Sequence, residues 1–174
     1  YIDEKKFGSI SSFNFSREAF YEGIWDHQTV RARGLFVDSE KNRIVARSYD
    51  KFFAINERPE TKLDSLKHRL QFPISCYVKE NGFLGMVSYD EAADDLMFAS
   101  KSSLNGPFVG YLKDMFFAAT TAGIRESIRD FIRENNVTFV FECVDMVNDP
   151  HVIKYPESGL YLLDIIDNTA DFHH

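Results

Sequence analysis

The sequence has little of several features that mark common functional classes. It contains no run of about 18 apolar residues, no glycine-rich phosphate loop and, among its first residues, no signal-peptide pattern. These absences argue against a membrane partner and leave P-loop and Rossmann nucleotide sites without support. We expect an intracellular protein, with cytoplasm and nucleus not distinguished. Of its two cysteines, Cys76 and Cys143 both lie in apolar, β-prone runs. Buried free thiols are therefore expected, with a disulfide left open.

Positive charge is also scarce, since 20 Lys and Arg residues face 27 Asp and Glu residues, for a net charge of -7. Such a balance argues against a surface that binds polyanions in general. Contact with nucleic acid would need a local basic patch, parts outside this chain, or a nucleotide as the ligand. Apolar residues are plentiful by contrast: 44% of the chain is hydrophobic and 17 residues are Phe, which predicts a globular domain with a real core.

Hydrophobic periodicity predicts about eight short strands, a short helix capped by Ser16, and two amphipathic helices between Pro107 and Asn135. The predicted strands span residues 31–37, 43–49, 76–79, 83–89, 96–100, 137–144, 151–155 and 159–166. Most of their connections are short, which favours antiparallel pairing. The pattern therefore predicts one α+β domain over residues 1–174, with mostly antiparallel sheets and inserted helices.

One stretch, from Cys76 to Gly85, stands out for its lysine. Lys79 follows an apolar, β-prone approach and precedes Glu80-Asn81-Gly82, a turn sequence because Asn-Gly tolerates positive φ. Two interpretations stay open. Lys79 is either a surface residue of a hairpin, with its alkyl stem along apolar surface, or a nucleophilic amine directed into a cleft.

Three further cations and one carboxylate interrupt apolar segments: Arg33, Lys51, Lys101 and Glu142. Strand alternation places Glu142 on the face of Val140 and Val144, where a carboxylate needs a cationic or metal partner. A structural ion pair would satisfy it equally well. Several cations around one carboxylate would suit a nucleoside triphosphate with a divalent metal.

The order of these motifs resembles that of the RNA ligase nucleotidyltransferase domain, of the phage RNA ligase 1 and fungal tRNA ligase type. The likeness covers roughly residues 30–168 and rests on five motifs in order along the chain. They are Arg33-Gly34, Arg47 to Phe53 with Asn56-Glu57, Lys79-Glu80-Asn81-Gly82, Ser100-Lys101-Ser102-Ser103, and Phe141-Glu142 followed by the His151–Tyr155 and Gly159–Leu162 stretches. The Lys-Glu-Asn-Gly sequence is similar to the nucleophile motif of covalent nucleotidyltransferases.

The resemblance implies an ATP-dependent RNA ligase of the ATP-grasp-like nucleotidyltransferase fold. Lys79 would attack the α-phosphorus of ATP to give a lysyl-AMP intermediate, while Arg33 and Lys51 orient the departing pyrophosphate. Glu142 would hold the ribose or a metal-bound water, and Lys101 would lie near the nucleotide or the RNA end. Mg²⁺ or Mn²⁺ would neutralise the phosphates. The implied nucleotide-binding set is Arg33, Lys51, Phe53, Val78, Gly82, Lys101 and Glu142, with Glu142 also the metal ligand.

The implied partners are ATP and RNA ends such as tRNA halves, with kinase or phosphatase domains outside this chain. AMP would pass to an RNA 5′-phosphate, and a 3′-hydroxyl would displace it to seal the strand in RNA repair or tRNA splicing. Two later family motifs, a glutamate-glycine strand and a lysine-x-lysine strand, have no counterpart after Asp167. We therefore expect a domain incomplete at its C-terminal end and slow in adenylation. A catalytically impaired nucleotide-binding domain and a capping or DNA-ligase-type nucleotidyltransferase remain alternatives.

Overall fold

The computed structural model describes residues 1–170 and, within them, eight strands and four α-helices. The strands are β1 (Ile2–Phe7), β2 (Ile10–Phe15), β3 (Leu35–Asp38), β4 (Arg43–Arg47), β5 (Phe83–Asp90), β6 (Asp95–Ser100), β7 (Val137–Val144) and β8 (Gly159–Asp167). The helices are α1 (Arg17–Glu22), α2 (Leu63–Arg69), α3 (Pro107–Ala119) and α4 (Ala122–Asn135). A single 3-10 turn at Pro59–Thr61 precedes α2.

The strands form two antiparallel sheets, in the order β1-β2-β3-β4 and β6-β5-β7-β8. Apolar side chains of both sheets pack together, Phe36 and Ala46 from the first against Met86 and Val140 from the second, and all four are fully buried. The second sheet packs α3 and α4 through another apolar cluster. The predicted α+β class with mostly antiparallel sheets is thus confirmed. In the part of the chain that the structure describes, no helix is long and apolar enough to span a bilayer.

The helix ends follow ordinary capping chemistry. The hydroxyl of Ser16 accepts a hydrogen bond from the Ala19 amide at 3.1 Å, and Gly23 ends α1 with φ of 66°. Thr121 caps the start of α4 in the same way, and Asn136 ends that helix with φ of 51°. The predicted Ser16 cap and the pair of amphipathic helices are therefore both confirmed.

Two strands escaped the sequence analysis because their patterns are not amphipathic. Strand β1 is a sheet edge with exposed residues over most of its length, and β2 places Ser12 and Asn14 in the interior. Both buried polar side chains are hydrogen-bonded. Ser12 donates to the Ser102 carbonyl at 2.9 Å, and Asn14 accepts from the Gly34 amide at 3.0 Å. Buried polar groups with good partners cost little, but they hide the strand from a hydrophobicity pattern.

The predictions of strands at residues 76–79 and 151–155 were wrong. Both segments are irregular, because β7 is already paired with β5 from Phe83 onward and with β8 from Gly159 onward. The β-prone residues of these segments therefore find no neighbouring strand. Their irregular path also corrects one expectation on thiols, since Cys76 is exposed and only Cys143 is buried, while both are free.

Candidate active site

A cleft of about 1550 Å³ is lined by residues of the second sheet and by residues of the segments that flank the strands of both sheets. That volume exceeds the range of about 300 to 1,000 Å³ that is typical of a pocket for one small ligand. Seven of the eight residues proposed from the sequence line this cleft: Arg33, Lys51, Val78, Lys79, Gly82, Lys101 and Glu142. They come from five separate segments of the chain, so the tertiary fold, not sequence proximity, brings them together.

The eighth residue, Phe53, is not among the residues that line the cleft. Its ring packs against Trp25 at 5.4 Å between centroids, and the Lys51 amine lies 4.1 Å above it. The adjacent Phe52 lines the cleft instead. Phe53 therefore packs against Lys51 outside the cleft lining. The sequence alone could not show which of the two adjacent Phe residues lines the cleft.

The Lys51 amine lies near one carboxylate and two aromatic rings. Its ammonium nitrogen is 3.6 Å from Glu57 Oε1 and 5.5 Å from the centre of the Trp25 ring. An ammonium group over aromatic faces is held by their quadrupoles as well as by the carboxylate. The Asn56-Glu57 pair that follows the two Phe residues thus provides the anion of this contact.

Arg33 lies just before β3 and is half-buried. Its guanidinium donates to the Ser48 hydroxyl at 3.1 Å and to the Tyr49 carbonyl at 3.5 Å, and it lies over the Phe52 ring at 5.7 Å. Burial lowers the pKa of Arg33, while the negative charge of Glu142 raises it in partial compensation. Arg33 is thus a cation fixed by neutral partners, with donor capacity left for a ligand.

Lys79 lies on an exposed segment and not at the end of a strand. The preceding Tyr77 and Val78 are 88% and 80% exposed, and the Lys79 amine is 3.4 Å from the Glu80 carbonyl oxygen. The predicted position at the junction of a strand and a turn is thus replaced by one on an irregular, solvent-accessible segment. Lys79 nevertheless lines the cleft.

The end of the Lys79 motif is held by Glu142. The Gly82 amide donates to Glu142 Oε1 at 2.8 Å, where β5 is about to pair with β7. A Cβ on Gly82 would lie 2.1 Å from the carbonyl oxygen of Cys143, so only glycine allows this close approach. The anion thus has a backbone partner that neither sequence interpretation of Glu142 included, and it acts on Arg33 at longer range.

Lys101 follows β6, and its amine lies against an aromatic ring. Its ammonium lies 4.5 Å from the centre of the Phe15 ring, although the residue as a whole is exposed. Burial lowers the pKa of Lys101, and the nearby positive charge of Arg33 lowers it further. Two cations of the candidate site therefore influence each other across the cleft.

Tyr49 is a cleft residue that the sequence analysis missed. Burial, followed by the negative charge of Asp164, raises the pKa of Tyr49 to about 12, while Arg33 opposes this shift. A usable signal was present, because Tyr49 ends the Arg47-Ser48-Tyr49 stretch next to Lys51. Other lining residues, Arg69 among them, come from segments without a recognisable motif.

No protein metal centre is formed by the described residues. Within residues 1–170, no three His, Cys, Asp or Glu side chains converge in a way that could hold an ion. Glu142 would therefore be a single protein ligand of an ion whose other ligands are phosphate oxygens and water.

Comparisons with known proteins cover most of the chain. A family model described as RNA ligase matches residues 31–174. The tRNA ligase of Candida albicans is 31% identical over 169 residues, covering 82% of this chain and 20% of that protein. The tRNA ligase 1 of Schizosaccharomyces pombe is 31% identical over 158 residues, covering 81% of this chain and 20% of that protein. The chain thus spans a fifth of the length of these curated relatives.

Proposed function

The chain belongs to the RNA ligase family, and from this premise we propose that it is an ATP-dependent adenylyltransferase domain that uses Lys79 as its nucleophile. The observation that carries the proposal is the convergence of Lys79, Arg33, Lys51, Lys101 and Glu142 on one cleft. A cleft with several cations and one carboxylate suits a nucleotide whose phosphates are attacked and displaced.

In the proposed first step the Lys79 amine attacks the α-phosphorus of ATP. A P–N bond forms, the bond between the α-phosphorus and the bridging oxygen of pyrophosphate breaks, and the amine loses a proton. Arg33, which has neutral partners, and Lys51 would hold the leaving phosphates in line with the amine. Tight orientation of this kind is the protein's main contribution to phosphoryl transfer.

Glu142 fits two parts of this proposal. Its Oε1 holds the Gly82 amide and so fixes the motif that carries Lys79. Its other oxygen can accept from a ribose hydroxyl or from water on a divalent ion that arrives with the phosphates. An ion bound there would neutralise phosphate charge.

We further propose that AMP passes from Lys79 to an RNA 5′-phosphate and that a 3′-hydroxyl then displaces it. The tRNA ligase names of the relatives support RNA ends, tRNA halves among them, as substrates. RNA repair or tRNA splicing is the corresponding role, in a protein whose kinase or phosphatase activities would lie outside this chain.

The experiment that tests the proposal follows label from ATP to the protein. The chain is incubated with Mg²⁺ or Mn²⁺ and ATP labelled at the α- or the γ-phosphate, then denatured and separated. Label from the α-phosphate alone is expected on the protein, because the γ-phosphate leaves within pyrophosphate. Subsequent addition of RNA with a 5′-phosphate should move the label to the RNA.

The matched variants are Lys79→Met and Lys113→Met. Lys113 lies on α3, near the Phe98 and Phe117 rings, and is not among the cleft-lining residues. Label should be lost in Lys79→Met and kept in Lys113→Met. Nucleotide binding without labelling in the unmodified chain would favour a binding domain that lacks catalysis, and labelling by GTP instead of ATP would favour capping chemistry.

A further inference from the structure

The backbone amides of Asn81 and Gly82 are each held by a side chain, one from the loop after β7 and one from β7 itself. Gly82 donates its amide to Glu142 at 2.8 Å, and Asn81 donates its amide to the Tyr155 hydroxyl at 2.7 Å. The Glu80 carboxylate lies close enough to the same hydroxyl to raise its pKa. Tyr155 is therefore hydrogen-bonded to the segment directly after the candidate nucleophile.

We propose that Tyr155 is a positioning residue for the Lys79 amine, acting through the backbone of Asn81. The inference rests on the proposed function of Lys79. Lys79 itself is exposed, and its amine contacts only the neighbouring carbonyl of Glu80 at 3.4 Å among its described hydrogen bonds. Consecutive Cα atoms are about 3.8 Å apart, so whatever fixes Asn81 limits where Lys79 can lie.

The loop that presents Tyr155 is itself well held. Asp145 accepts from the amides of Val147 and Asn148 at 3.0 and 2.9 Å, and the Met146 amide donates to the Ser158 hydroxyl at 3.0 Å. Both ends of the loop are thus tied to each other across Tyr155. A half-buried tyrosine on such a loop can hold in place a neighbouring segment that is not paired with any described strand.

The chemistry of a neutral tyrosine suits this contact. Partial burial raises the pKa of Tyr155, with the Asn81 amide opposing the rise and the Glu80 carboxylate adding to it. The phenol oxygen accepts the Asn81 N–H at 2.7 Å. Since a misplacement of about 1 Å can cost roughly a hundredfold in rate, holding Asn81 in place matters for in-line attack by Lys79.

The decisive variant is Tyr155→Phe, with Tyr89→Phe as its matched control. Tyr89 lies near the far end of β5 and donates its hydroxyl to Asp94 at 2.6 Å, so the control also removes one tyrosine hydrogen bond. Amide hydrogen exchange of the chain without nucleotide is measured residue by residue by NMR. We expect exchange at Asn81 to become about tenfold faster in Tyr155→Phe, the size of one lost hydrogen bond, and to stay unchanged in Tyr89→Phe.

The second readout is adenylation over a range of ATP concentrations. Tyr155→Phe should lower the maximal rate of labelling about tenfold and leave the half-saturating ATP concentration unchanged, because it misplaces the amine without touching the nucleotide. Unchanged exchange at Asn81, faster exchange with an unchanged rate, or an equal loss in Tyr89→Phe would each overturn the inference. The exchange measurement needs no ATP, so an unmodified chain that takes no label would refute the proposed function separately.

Discussion

The two sides of the cleft are built in different ways. One side, which we call the sheet wall, consists of Arg33, Gly82 and Glu142, each held by hydrogen bonds to strands or their ends. The other, the outer lip, is the irregular segment of residues 74–80, which carries the exposed Tyr77, Val78 and Lys79. A rigid wall can orient phosphates in advance, whereas an exposed lip leaves the amine accessible.

The contrast separates stability from chemistry. Substitutions in the sheet wall should lower the free energy of unfolding where they crowd packed backbone or remove a hydrogen-bond acceptor. Substitutions in the outer lip should change nucleotide chemistry with little effect on folding, because few contacts are lost there. The variants below test this division in order of decreasing effect.

The largest effect is expected for Gly82→Ala in the sheet wall. The added Cβ would lie 2.1 Å from the Cys143 carbonyl oxygen on the central strand β7, which cannot yield without breaking its pairing. We expect the free energy of unfolding to fall by about 3 kcal/mol, measured by denaturant titration. Gly110→Ala is the control, since a Cβ at Gly110 in α3 meets no heavy atom within 4 Å and should stabilise by up to about 1 kcal/mol. Similar unfolding curves for the two variants would refute the close approach at Gly82.

Next in size is Glu142→Gln, which removes charge but keeps an oxygen that can accept from Gly82. We expect an almost unchanged melting temperature and a 10- to 100-fold slower adenylation, roughly the loss of one charge-assisted contact. Glu142→Leu should in addition lower the melting temperature, because the Gly82 amide loses its 2.8 Å partner. If Glu142→Gln lowered the melting temperature and left adenylation unchanged, the role of Glu142 would be structural.

A smaller effect is expected from Tyr49, a half-buried residue of the cleft lining. Its pKa is raised to about 12 from the ordinary tyrosine value of 10.0, mainly by burial. Its neutral form therefore contributes stability that is fully present below pH 10.0 and is lost as pH rises toward 12. After allowance for solvent screening the loss is about 1 kcal/mol. Unfolding free energies between pH 9.5 and 11.5, roughly the window of this shift, should fall less steeply in Tyr49→Phe than in the unmodified chain. Parallel slopes would contradict the assignment.

The sheet wall and the outer lip also differ in how well the sequence predicted them. Strands β5 and β7 and both long helices were predicted because their apolar residues repeat with the period of the element. Residues 76–79 of the lip were predicted as a strand because they are β-prone. The prediction was wrong because no other strand among residues 1–170 lies beside this segment, and strand pairing depends on residues far away in the sequence.

Among the site residues, motif order along the chain predicted Arg33, Lys51, Lys79, Lys101 and Glu142, and all five line the cleft. Their roles in adenylation stay predictions. The Gly82 contact with Glu142 and the Tyr155 contact with Asn81 were not predicted, because a backbone amide leaves no trace in the residue type. Polar β2 was missed for a related reason, since its buried Ser12 and Asn14 are satisfied by partners far along the chain.

The smallest effect on stability is expected in the outer lip, at Val78. This side chain is 80% exposed, so Val78→Ala should change the free energy of unfolding by less than about 0.5 kcal/mol. Val78 lines the cleft, however, and we propose that it packs against the bound nucleotide. Removing two methyl groups from such a contact should weaken ATP binding about tenfold, measured by calorimetry. Val152→Ala is the matched control, because Val152 is 97% exposed and is not among the cleft-lining residues. Equal ATP affinity in the two variants would remove Val78 from the nucleotide site, and a large loss of stability in Val78→Ala would erase the distinction between wall and lip.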